Sequence, residues 1–82
     1  MAEIVDLDQV NISPVVLAVW DELARHIGEL AARYGISSKE IPDERARIEG
    51  DGSLTIFVEL PRLGEVSLRV PPAHWERRFS KN

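Results

Sequence analysis

Residues 45–70 read RARIEGDGSLTIFVELPRLGEVSLRV, and through them apolar and polar side chains take turns. Ala46 and Ile48 face one way. Beyond Gly50-Asp51-Gly52, Leu54, Ile56, Val58 and Leu60 share a face, and beyond Pro61-Arg62-Leu63-Gly64 so do Val66, Leu68 and Val70. Successive strand side chains point to opposite faces, so a period of two predicts strands buried on one side. Glycines at 50 and 52 tolerate the positive φ of a hairpin turn. The stretch therefore predicts a three-stranded antiparallel meander over about 44–49, 53–60 and 65–70. Pro71-Pro72 ends it, because proline cannot donate to a ladder.

Upstream the rhythm changes. Val16, Trp20, Leu23, Ile27, Leu30 and Tyr34 step by four and three, with Leu17, Ala24 and Ala31 widening the stripe. That is the apolar face of a helix over about 14–34. Ser13 is placed as N-cap, Pro14 at N1 loses nothing by lacking an N–H, and Gly35 can take the left-handed conformation that closes the helix. Ile12 and Leu17 are spaced as a hydrophobic staple, and Ser37-Ser38-Lys39-Glu40 can cap one short turn before Pro42. Residues 3–12 could pair at a sheet edge as a short strand or drape over the core. Residues 72–79 are expected to form a short helix that puts Trp75 and Phe79 on one side. A helix stripe laid on a one-sided sheet is a two-layer α+β fold.

Such a helix is about 31 Å long, against about 23 Å for seven strand residues, so some 8 Å of stripe overhangs the sheet. The arm, the tail or a second molecule has to cover it. Gly28 lies off the stripe, where alanine would be favoured by about 1 kcal/mol. Either a partner's backbone approaches it closely, or the glycine is merely tolerated.

Eighty-two residues suit one small domain with a marginal core, burying only about 60–65% of the unfolded chain's surface. There is no cysteine, which removes disulfides and thiolate metal sites. Met1–Ile12 lacks the basic start and apolar run of a signal peptide, and residues 14–34 carry too many charges to span a bilayer. A soluble, cytoplasmic protein without membrane contact is the expectation.

The net charge of −4 is uneven. Residues 1–43 hold eight acids against three bases, −5; residues 44–82 hold six against seven, +1. An acidic first half argues against general nucleic-acid affinity, which needs a sustained basic surface.

Chemistry-bearing motifs are few. With two histidines and no cysteine, a nucleophile–base pair has few candidates, and Gly50-Asp51-Gly52 joins strands where a phosphate loop would open a helix. No catalytic, metal or cofactor residue is assigned, and the chain is expected not to be an enzyme. The outer sheet face should show Arg45, Arg47 and Arg69 among Glu49, Glu59 and Glu65, which is ordinary cross-strand pairing. Phe57 departs from it. It could stack a base, anchor a protein, or lie beneath Trp75 and Phe79. The tail joins Trp75 and Phe79 to Arg77 and Arg78, residue types that dominate interface hot spots.

The element order resembles the double-stranded-RNA-binding domain in outline. That family opens its last helix on lysines, and this chain has Pro71-Pro72-Ala73-His74 there, so no residue role carries over. The expectation is a non-enzymatic protein–protein interaction module of the adaptor, inhibitor or regulatory-subunit type. Its contact residues would be Phe57, Trp75, Phe79, Arg77, Arg78, Arg45, Arg47 and Arg69, with a homodimer as an open possibility. The alternative is a nucleic-acid-associated regulator using the outer sheet face and the basic tail.

Overall fold

The computed structural model describes residues 2–78. Two short strands, β1 (Glu3–Asp6) and β2 (Val10–Ile12), flank a 3-10 turn at Leu7–Gln9. Val5 and Val10 are buried and pin this arm to the core. The Asp6 N–H donates to Gln9 Oε1 at 2.9 Å, which holds the turn between them. The helix α1 (Pro14–Arg33) follows, then a 3-10 turn at Ser38–Glu40 in which Ser37 accepts from the Lys39 N–H at 3.2 Å.

Strands β3 (Arg45–Ile48), β4 (Leu54–Leu60) and β5 (Gly64–Val70) form the expected antiparallel hairpins. The sheet has four strands, however, not three: β1 adds to the free edge of β3, in the order β1-β3-β4-β5. Val5 stands opposite Ala46, so the arm continues the buried face by one strand. The physical reason is the open ladder of β3, whose unpaired N–H and C=O groups the arm satisfies. Leu54, Ile56, Leu60 and Val70 are almost fully buried. On β5 the burial thins out, and Val66 and Leu68 are only half-buried.

The tail also departs from expectation. In place of a helix over 72–79, a 3-10 turn at Pro72–His74 leads into a sixth strand, β6 (Trp75–Arg77). It pairs antiparallel with β2, Ile12 opposite Trp75 and Val10 opposite Arg77. The bonds from Ser13 N–H to the His74 carbonyl, 2.8 Å, and from Arg78 N–H to the Gln9 carbonyl, 2.9 Å, extend the ribbon at both ends. A strand wins here because β2 offers a ladder of backbone partners, whereas so short an isolated helix gains little from its own hydrogen bonds. With the tail extended and a fourth strand added, the element order no longer follows the double-stranded-RNA-binding outline. Phe79 lies outside the described residues.

Helix α1 presents Trp20, Ile27 and Ala31 as its buried residues, with Val16 and Leu23 half-buried on the same stripe. It ends as the sequence predicts. Gly35 takes φ +74°, its N–H donates to the Ala32 carbonyl at 3.1 Å, and the Ile36 N–H reaches the Ala31 carbonyl at 2.8 Å. This is a Schellman closure, and its apolar contact is the buried pair Ala31 and Ile36. Three residues of the expected stripe are exposed all the same: Leu17, Leu30 and Tyr34. Leu30 and Tyr34 lie on the last turns of α1, at the same end as the buried Ala31 and Ile36.

Candidate protein-docking surface

The residues singled out from sequence are mostly committed within the chain. On the outer sheet face the Arg47 guanidinium lies 5.0 Å from the Phe57 ring centre, so Phe57 is covered by an arginine and Trp75 is not what covers it. Arg47 also donates to Glu49 at 3.0 Å and approaches Glu65 at 3.5 Å. Thr55 donates its hydroxyl to Glu49 at 2.7 Å, which explains how a threonine on a wet face is buried. Glu49 is held below the usual carboxylate range by that Thr55 bond first and by Arg47 second. Arg45 faces Asp6 at 3.4 Å, and Arg69 is paired with Asp51.

The tail residues tie down the tail itself. Trp75 packs against the core cluster and donates its indole N–H to the Gly52 carbonyl at 3.0 Å. Arg77 bridges to Glu3 at 2.8 Å, which lowers the Glu3 carboxyl, and Arg78 donates to Asn11 Oδ1 at 3.0 Å. The structure thus brings Arg47 and Phe57 together on one face and places Trp75, Arg77 and Arg78 elsewhere, along the ribbon.

A different surface is left open. Val15 and Val19, on the first turns of α1, are 63% and 52% exposed. With Val16 they form one wall of a groove whose other side is Leu68, Arg69, Pro71 and His74. Ala18 and Leu23 continue the apolar surface along the helix. The groove runs beside β5, the outermost strand, whose far edge meets no strand among the described residues. Sequence reasoning missed it for a definite reason. Val15 and Val19 fall off the main helical stripe, and nothing local says that β5, not β3, keeps an open edge.

Two smaller features complete the picture. Ser13, expected as a side-chain cap, makes no such bond; its Oγ lies 3.1 Å from His74 Nδ1. That is a nucleophile–base distance, yet among the described residues no carboxylate reaches the other ring nitrogen to orient it. The pair reads as a latch between the tail and the start of α1. A Cβ placed on Gly28 would meet nothing within 4 Å, so no neighbour crowds that glycine. Among the described residues no three His, Asp or Glu side chains gather as a metal site, and no helix is long and apolar enough to cross a membrane. No protein-family model matches this chain, and neither do any curated protein or any solved structure.

Proposed function

We propose that this chain is a non-enzymatic protein–protein interaction module of the adaptor, inhibitor or regulatory-subunit type, working in the cytoplasm. The observation that carries the reading is an open seven-residue edge strand, β5, running beside exposed valines of α1. Unpaired strand edges are templates for another chain, and proteins that avoid such pairing blunt them with proline, bulges or inward charges. Within β5 no proline occurs, and the inward positions are Val66, Leu68 and Val70. An extended protein segment laid against β5 would gain a ladder of hydrogen bonds and cover the half-buried Val66 and Leu68. The alternative, a nucleic-acid-associated regulator, has less behind it: Arg45, Arg47, Arg69 and Arg77 each face a carboxylate, so these four are already paired within the chain.

The test is affinity capture from extract of the native host, with Val19→Asp and Tyr34→Asp as paired baits. Both sites are exposed, so both variants should melt within about 1 kcal/mol of the native chain. A protein retained by the native bait and by Tyr34→Asp, and lost with Val19→Asp, supports the reading. Loss with Phe57→Ala instead would move the contact to the outer sheet face. Oligonucleotide binding that weakens steeply with salt would favour the alternative.

A further inference from the structure

We infer that β5 is the seam of a symmetric homodimer, in which the β5 strands of two copies pair antiparallel about a two-fold axis through Ser67 to make one continuous eight-stranded sheet. The inference rests on the edge-strand reading above and names the occupant of that edge.

The argument is one of self-complementarity. Residues directly opposite in an antiparallel pair lie on the same face of the sheet, so a two-fold axis must pass through a residue of β5 and not between residues. Three such centres keep most of β5 paired: Val66, Ser67 and Leu68. Centred on Val66, Glu65 meets a serine and Arg69 runs past the end of the strand. Centred on Leu68, Arg69 meets a serine and Glu65 runs past the other end. Only the Ser67 centre pairs all seven residues of Gly64–Val70 and sets Glu65 of each copy opposite Arg69 of the other. That gives two opposite-charge cross-strand pairs from one strand sequence.

The same register satisfies both faces. On the outer face Glu65 already stands opposite Glu59 of β4, a like-charge pair whose nearest cation is Arg47 at 3.5 Å. Arg69 of the second copy, whose guanidinium also faces its own Asp51, brings a positive charge to the other side of Glu65. On the inner face Val66 of one copy comes opposite Leu68 of the other. Leu68 lines the groove beneath Val15 and Val19, so Val66 of the second copy enters that groove. The half-buried inner residues of β5 and the exposed valines of α1 are then covered by one event, as an isologous interface requires.

Because the chain has no cysteine, Ser67→Cys is a clean probe. Ser67 is exposed on the outer face, and at the axis the two thiols would be direct neighbours. Light scattering on the purified native chain should give twice the 9.2 kDa mass, dissociating on dilution. Oxidised Ser67→Cys should form a covalent dimer much faster than Ser38→Cys, at the far end of α1. Glu65→Arg alone and Arg69→Glu alone each set like charges across the axis and should each weaken the dimer roughly tenfold. Mixed one to one, these two variants set opposite charges across the axis and should recover native affinity as a heterodimer, which a folding defect could not do. A monomer at every concentration overturns the inference, and so does a dimer indifferent to both reversals or a mixture without rescue. Should the chain prove monomeric while Val19→Asp still abolishes capture of a host protein, the edge is a docking site for another protein and only the self-pairing falls.

Discussion

Two glycines seven positions apart show how one residue type is used in opposite ways. Gly35 sits at φ +74°, a conformation that side chains with a Cβ adopt at a cost, and it closes the helix. Gly28 sits in the helix interior, with nothing within 4 Å of where a Cβ would stand. Gly28→Ala should therefore stabilise the fold by about 0.5–1 kcal/mol, because alanine loses less backbone freedom. Gly35→Ala should destabilise it by about 1 kcal/mol. Urea denaturation of the two variants checks the pair, and shifts of the same sign would contradict the assigned geometry. The sequence announced Gly35 through its place just after the apolar stripe. It left Gly28 with two readings, and within the chain itself nothing comes close enough to that residue to require a glycine.

Among the elements, the β2–β6 ribbon depends most on a single side chain. Trp75 fills space against the core and donates its indole N–H to the Gly52 carbonyl, at a turn where Gly52 holds φ +91°. Trp75→Ala removes both contacts and should cost about 3 kcal/mol, the low end for a tryptophan truncation because the side chain is only partly buried. Hydrogen exchange should show the loss locally: amides of Val10–Ile12 and Trp75–Arg77 speed up together, while Leu54–Leu60 stay protected. Slow exchange persisting in β2 would mean the ribbon does not rely on Trp75. The tail's extended form was not legible from its own residues. Trp75 and Phe79, four apart, suit a helix turn equally well, and only the availability of β2 decides between them.

At the scale of the whole molecule, three surface carboxylates on different segments make the stability depend on pH. Glu3 is lowered from its ordinary 4.5 by hydrogen bonding to Arg77, Glu49 from 4.5 by Thr55 and then Arg47, and Asp51 from 3.8 by the Ser53 hydroxyl. Each folded value lies below the unfolded one. The unfolded chain therefore takes up protons first on acidification, and stability falls. The melting temperature should hold from neutral pH to about pH 5 and then drop as pH falls through the ordinary carboxylate values toward the lowered ones. Glu3→Gln and Glu49→Gln should each flatten that drop; a Tm unchanged by acid would contradict these contacts. The open edge belongs to this scale too. A core this small gains from added burial, and the only long edge strand among the described residues, β5, carries charges that complement themselves.

By itself the sequence determined the α+β class, the helix with its glycine closure, and the two hairpins. Each of these is specified by residues within a few positions of one another, through a period of burial or a backbone conformation that few side chains allow. Tertiary structure alone decided the rest. The arm became strands, the tail left its expected helix, and the arginines found carboxylates inside the chain. Those outcomes join residues far apart, Trp75 to Gly52 across 23 positions and Arg77 to Glu3 across 74. Pairings at such separations depend on which backbone groups remain unsatisfied after the local elements have formed, and no local pattern records that.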